Sequence, residues 1–243
     1  MSAPRQLRCA GVTVRAVVFD FDGTLAVPTL DFGVMRRAVA EAMAAHLTPP
    51  ERPDLPVMEW IAHTARLLEE RSPVGASALH AEAHAAIRRV EVQAAARGSL
   101  FPFTRPMLAA LAAMGVPVAI VTRNCPEAVR AVFPDVDALC PCLLTRDDVP
   151  SVKPDPDHLL RALDGIGRAP GEALMVGDHP MDIVTGRRAG TLTAGVASGE
   201  SPADALHAAG ADMVADHCGD LMARLGLSGM DETGGMGGMG GMG

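Results

Sequence analysis

The chain has 243 residues, of which 49% are apolar, enough for a real core and too apolar for a disordered or fibrous protein. Acidic residues number 29 against 21 basic, a net charge of −8, which disfavours the phosphate-neutralising mode of nucleic-acid binding. Six Phe, one Trp and no Tyr leave little for base stacking. The longest uncharged stretch, Pro106 to Thr122, is broken by Gly115 and Pro117 and falls short of the roughly 20 apolar residues of a membrane span. Arg5, Arg8 and Arg15 enclose no apolar run of the kind a signal peptide needs. Five scattered Cys argue against a disulfide framework and for a reducing compartment, so a cytoplasmic location is expected.

After a polar start, Val14 to Phe19 reads as a short buried strand that ends at Asp20. A Gly- and Pro-containing turn, Asp22 to Thr29, follows. From about Phe32 to Gly98 apolar residues recur at three- and four-residue spacing (Val34, Met35, Ala38, Val39, Ala42, Met43), and the prolines divide this stretch into about three helices. Beyond Arg105 the texture alternates. A helix over Pro106 to Met114 leads to a strand Pro117 to Val121, and a helix from about Pro126 to a strand Ala138 to Leu144. A helix Asp155 to Asp164 leads to a strand Ala173 to Val176, then a helix Pro180 to Arg188 to a strand Thr191 to Val196, with a last βα element closing near Leu225. Such alternation predicts a doubly wound, Rossmann-like parallel α/β sheet built from 14–27 and 105–227, with a helical module over 28–104 inserted after the first strand. The Gly-rich tail, 228–243, with Met236, Met239 and Met242 at every third position, is expected to be disordered.

In a doubly wound sheet ligands sit at the carboxyl ends of the strands. Four polar segments fall there: Asp20-Phe21-Asp22-Gly23-Thr24-Leu25, Thr122-Arg123-Asn124, Val152-Lys153-Pro154-Asp155, and Gly177-Asp178-His179-Pro180-Met181-Asp182. Alone, the first could be an Asx-type turn, the last a helix N-cap with a surface Asp, Thr122 another N-cap and Lys153 a solvated charge. Coincidence hardly explains four such segments in order. Two carboxylates about 4 Å apart repel by roughly 4 kcal/mol at an effective dielectric near 20. Asp20, Asp22, Asp178 and Asp182 could therefore not all stay ionised beside a single lysine. The remainder calls for a divalent cation, and an all-oxygen donor set favours Mg²⁺ over Zn²⁺.

Gly23 lets the chain turn and free its amides towards an anion, Thr122 adds a hydroxyl donor, and Lys153 is a compact cation for a phosphoryl oxygen. Asp20 and Asp22, at i and i+2, divide the labour: Asp20 attacks phosphorus while Asp22 protonates the leaving oxygen and later deprotonates water.

These motifs resemble those of the haloacid dehalogenase-like hydrolases, and within them the phosphoglycolate phosphatase-like branch with a helical (C1-type) cap. The resemblance covers roughly 14–227. It rests on Asp20 to Leu25, Thr122, Lys153-Pro154, and Gly177-Asp178 with Asp182. It implies Asp20 as nucleophile and Asp22 as acid/base. Mg²⁺ would be held by Asp20, the Asp22 backbone carbonyl and Asp178, with Asp182 in support. Phosphate would be bound by Thr122, the Arg123 amide and Lys153. The name-giving dehalogenases resemble this pattern without the second Asp, so Asp22 points to phosphoryl transfer.

The expected activity is Mg²⁺-dependent hydrolysis of a small phosphorylated metabolite, with phosphoglycolate the first candidate. A phosphomutase of the same family and a non-catalytic phosphate-binding module are the alternatives, and a monomer or homodimer is expected. Arg66, Arg71, Arg88, Arg89 and His63 are open candidates for substrate contact in the helical module. His80 and His84 have helix metal-ligand spacing without a partner pattern, and Cys140 and Cys142 read as two buried thiols.

Overall fold

The computed structural model describes residues 6–227 apart from Pro53; the expectation for 228–243 lies outside them. The described chain opens with an antiparallel hairpin, β1 (Leu7–Cys9) and β2 (Val12–Val14), turned at Ala10 and Gly11 with φ of 47° and 83°. The sequence reading expected a polar start here and ran the first strand from Val14. Instead Leu7, Cys9 and Val14 point into the core, and Arg8 N–H donates to the Leu225 carbonyl at 3.0 Å. Alternation over three-residue strands is too short to separate from noise.

The buried strand is β3 (Ala16–Phe19). Three helices follow, α1 (Phe32–Ala44), α2 (Val57–Glu69) and α3 (Pro73–Ala95). Asp31 caps α1 by accepting from Val34 N–H at 2.9 Å, and Ser72 caps α3 by accepting from Gly75 N–H at 3.1 Å. These helices make a compact unit, Thr29–Arg97, with a core of its own formed by Met35, Val39, Met43, Trp60, Ile61, Leu79, Ala83 and Ile87.

The second unit takes the chain up to Pro28 and again from Gly98. Its later elements are α4 (Thr104–Ala113), β4 (Val118–Val121), α5 (Pro126–Val132), α6 (Val136–Leu139), β5 (Cys142–Leu144) and α7 (Pro156–Gly165). Then come β6 (Ala173–Gly177), α8 (Pro180–Ala189), β7 (Leu192–Val196), α9 (Ala203–Ala208), β8 (Met213–Ala215) and α10 (Cys218–Arg224). The strand expected over 138–144 is therefore a single helical turn followed by a three-residue strand. Pro141 divides them, because it offers no N–H to a ladder.

Six parallel strands lie in the order β5-β4-β3-β6-β7-β8, and helices cover both faces. The period of two sorts each strand's side chains: Val17, Phe19, Val118, Ile120, Leu174 and Val176 enter one core, Ala16, Val18, Ala119, Val121, Ala173 and Met175 the other. From β3 the chain steps outward to β5, then returns across β3 to β6. The order of connection thus reverses between β3 and β6, and the loops leaving their carboxyl ends border the crevice this reversal opens. Among the described residues no helix is long and apolar enough to cross a membrane.

Candidate active site

Asp20 stands one residue past β3, where its N–H still donates to the Val176 carbonyl at 2.8 Å and holds the residue at the mouth of the sheet. The chain then turns sharply: Leu25 and Ala26 N–H both donate to the Phe21 carbonyl, at 2.8 and 3.0 Å. Phe21 and Leu25, fully buried, anchor that turn from below. Gly23 is required twice over, by its φ of +77° and because a Cβ there would stand 2.5 Å from Asp178 Oδ2.

Asp178, just past β6, is 6% exposed. The Thr24 hydroxyl lies 3.4 Å from its Oδ1, and the Glu200 N–H donates to its Oδ2 at 3.0 Å. Asp182, in the first turn of α8, is 2% exposed, and its Oδ2 accepts from His179 N–H at 3.2 Å in a capping box. Ligand oxygens of Asp20, Asp178 and Asp182 all lie within 4.8 Å of one another, the cluster of three or more metal-capable side chains found among the described residues.

Lys153 is buried among these carboxylates, its Nζ 2.5 Å from Asp20 Oδ1 and 2.6 Å from Asp182 Oδ1. Burial works against its charge, but Asp182 and Asp20 outweigh burial and hold its pKa above the usual lysine value. Burial pushes the Asp178 carboxyl up to about 8, reinforced by the Asp20 and Asp182 charges, and burial likewise raises Asp182 although Lys153 opposes the rise. One ammonium beside three buried carboxylates leaves an excess of negative charge. An all-oxygen donor set with that excess fits a small hard divalent cation such as Mg²⁺.

Thr122 follows β4 and is 2% exposed; its hydroxyl oxygen accepts from Asn124 N–H at 3.0 Å, leaving the hydroxyl proton to donate. The Arg123 guanidinium donates to the Lys153 carbonyl at 3.2 Å and touches Met181 Sδ at 3.2 Å, tying together the loops after β4, before α7 and at the start of α8. The Asp22 carboxyl lies outside the three-carboxylate cluster and accepts from Asn124 Nδ2 at 3.0 Å.

His158 of α7 is fully buried 3.1 Å from the Leu144 carbonyl, which also takes the Thr122 N–H. Burial first, then the Lys153 charge, pushes its pKa down to about 4, so the ring is neutral.

Two contributors escaped the sequence reading. Asn124 was read as part of a polar segment with no task of its own. The turn after β7 was passed over, although it brings Glu200 N–H to Asp178 and the Ser198 hydroxyl to the Gly23 carbonyl at 2.7 Å. A Cβ on Gly199 would stand 1.8 Å from Asp178 Oδ2. The signal was positional: β7 is the parallel neighbour of β6, so its carboxyl end opens on the same edge.

Elsewhere Arg66 and Arg89 are exposed on their helices, Arg71 is exposed in the turn between α2 and α3, Arg88 and His63 are half-buried, and the rings of His80 and His84 stack at 4.2 Å. Of the two thiols expected to be buried, Cys140 is and Cys142 is only half-buried; burial pushes the Cys140 thiol up to about 12 and also raises Cys142.

A model of the haloacid dehalogenase-like hydrolases matches residues 14–190. The chain belongs to that family. It is 30% identical over 229 residues to a phosphoglycolate phosphatase of Yersinia pestis, covering 90% of this chain and 96% of that one. To a phosphoglycolate phosphatase of Shigella dysenteriae it is 28% identical over 239 residues, covering 88% and 93%. A hydrolase of Pseudomonas syringae shares the fold, with a TM-score of 0.61 at 24% identity over 87% of this chain and 97% of that one. This haloacid dehalogenase-like protein is thus a hydrolase of the phosphoglycolate phosphatase-like branch, placed by its relatives among the family's phosphatases.

Proposed function

We propose that the protein hydrolyses the phosphate monoester of a small metabolite through a phospho-Asp20 intermediate, with Mg²⁺ as its cofactor. The observation that carries this reading is the convergence of Asp20, Asp178 and Asp182 around buried Lys153 where the strand order reverses. Such a charge arrangement is costly to fold and is suited to holding a phosphoryl group against a carboxylate.

An Asp20 oxygen attacks phosphorus in line. The bond from phosphorus to the ester oxygen breaks, and that oxygen leaves with the proton of Asp22. Water then attacks the phosphorus of phospho-Asp20 while Asp22 takes up its proton. The bond to Asp20 breaks, inorganic phosphate leaves, and both carboxyls regain their starting states. Thr122, the Arg123 amide and Lys153 hold the phosphoryl oxygens. Asp20, Asp178 and the Asp22 backbone carbonyl, with Asp182 in support, would hold Mg²⁺, which when bound would supply positive charge to those oxygens. Thr29–Arg97 takes the part of a cap that selects the organic moiety of the substrate. Phosphoglycolate heads the candidates because similar proteins carry that name. Five free thiols suit a reducing, cytoplasmic setting.

The test is phosphate release from phosphoglycolate, sugar phosphates, nucleotides and pyrophosphate, with and without EDTA. Asp20→Asn is expected to lower turnover at least 10³-fold while the fold persists, because an amide cannot attack phosphorus. A variant that keeps turning over overturns the mechanism. Phosphate returned to the substrate instead of water marks a mutase.

A further inference from the structure

The geometry points to Asn124 as a positioning residue for Asp22, an inference that rests on the acid/base task given to Asp22 above. Asn124 lies in the turn between β4 and α5, and both ends of its side-chain amide are engaged. Its Oδ1 accepts from Cys125 N–H at 2.8 Å, and its Nδ2 donates to Asp22 Oδ2 at 3.0 Å. A backbone N–H can only donate, so the first bond decides which end of the amide is oxygen and leaves the NH₂ end facing Asp22. The Asn124 N–H is held in turn by the Thr122 hydroxyl oxygen at 3.0 Å. A residue pinned through its backbone and both ends of its side chain thus reaches across to a loop 102 positions earlier in the chain.

The chemistry of the contact matches what an acid/base carboxyl needs. An amide N–H can donate to a carboxylate oxygen and, more weakly, to the carbonyl oxygen of the neutral acid. Asn124 therefore keeps its hold on Asp22 whether or not the proton is present. Without that bond the carboxyl gains rotamer freedom, and proton transfer loses alignment with the departing oxygen. The loss falls on the step in which the leaving group needs a proton and spares the carboxylate cluster, to which Asp22 does not belong.

The experiment compares two esters on the Mg²⁺-loaded enzyme: the best alkyl phosphate of the release panel, whose alkoxide must be protonated, and p-nitrophenyl phosphate, whose phenolate leaves unaided. The readout is kcat/KM, which covers the steps up to phospho-Asp20. Asn124→Ala is expected to cut kcat/KM about 10- to 100-fold for the alkyl ester, a share of the 10²- to 10⁴-fold typical of general acid catalysis, and far less for the aryl ester. Asn124→Asp keeps the acceptor for Cys125 N–H but turns an oxygen on Asp22, and it is expected to do at least as much damage with the same selectivity. Combined with Asp22→Ala, Asn124→Ala is expected to add nothing further.

Equal losses on both esters, no loss on the alkyl ester, or losses additive with those of Asp22→Ala overturn the assignment of Asn124 alone. An Asp22→Ala enzyme that does not distinguish the two leaving groups overturns the role of Asp22 and this inference with it. Thermal melting of each variant separates misfolding from loss of alignment.

Discussion

Replacing Lys153 by Met removes a charge while nearly keeping its volume, and it tests whether the carboxylate cluster is as electrostatically loaded as its geometry implies. The Lys153 ammonium sits 2.5 Å from Asp20 Oδ1 and 2.6 Å from Asp182 Oδ1, with 3% of the residue exposed. Without it, three carboxylates remain within 4.8 Å of one another. At that separation and an effective dielectric near 20, each ionised pair repels by about 3.5 kcal/mol. Breaking a buried ion pair typically costs about 3–5 kcal/mol, because the partner is left charged and uncompensated. For a chain of this size the midpoint of thermal unfolding should therefore fall by roughly 6–20 °C in EDTA at neutral pH. Lys153 opposes the rise that burial imposes on the Asp182 carboxyl, so without it the folded-state pKa of Asp182 moves further upward. A carboxyl raised in this way gives its full contribution to stability below its unfolded pKa and loses it as pH rises through the folded value. The gap between wild type and Lys153→Met should therefore be widest near pH 8 and narrow towards pH 5, and millimolar Mg²⁺ should restore part of it. Scanning calorimetry of both proteins at pH 5, 6.5 and 8, with EDTA and with Mg²⁺, measures this. Midpoints within about 2 °C at every pH in EDTA would refute the electrostatic account, whatever became of activity.

Two further predictions concern the same cluster. With the Asp178 carboxyl pushed up to about 8, chiefly by burial, a proton occupies it at neutral pH and a divalent cation must displace that proton. Apparent Mg²⁺ affinity should rise up to tenfold per pH unit from pH 6 and level off above about pH 8, with proton release visible in calorimetric titrations run in buffers of different ionisation enthalpy. An affinity flat from pH 6 to 8 would contradict it. Gly199→Ala puts a Cβ 1.8 Å from Asp178 Oδ2, so the carboxylate or the turn must move. Mg²⁺ affinity and turnover should each fall at least about tenfold, while Gly171→Ala, whose Cβ meets nothing within 4 Å, leaves both unchanged; an unaffected Gly199→Ala protein would refute the close approach.

The parts of the molecule legible in its residues are those where one physical signal acts alone. Ala16–Phe19 is a short apolar run ended by a carboxylate, buried on both sides in the centre of the sheet, and its neighbours decide nothing about its assignment. The helical unit is legible because apolar spacing runs over 13 and 23 residues in α1 and α3, with Asp31 and Ser72 as ordinary N-caps. The failures fall where two signals compete within a few residues. Over 138–144 an apolar run suggests a strand, but Pro141 cuts it, and the first part closes a helical turn in which Cys140 N–H donates to the Val136 carbonyl at 2.7 Å. In the first 14 residues Leu7, Cys9 and Val14 alternate with polar neighbours over lengths too short to judge, and what makes them strands is burial against residues more than 200 positions away, such as Leu225.

The same distinction explains the candidate site. Asp20, Asp178 and Lys153 could be read from the chain because their kind and their position at a strand's carboxyl end already imply chemistry. Asn124 and Gly199 could not, because an amide or a glycine in a turn has a dozen uses and only a partner in space selects one. Asn124 matters because Asp22 Oδ2 lies 3.0 Å away, and Gly199 because Asp178 leaves no room for a side chain. The groups that bear charge are thus carried by the local sequence, while the groups that aim them are chosen by strand order, which sets the loops after β3 and β4, and those after β6 and β7, side by side. Substitutions at the charged positions should therefore remove activity outright. Substitutions at the aiming positions should leave a folded protein that handles some substrates far worse than others, and that selectivity is the mark by which aiming residues are told from residues that only support the fold.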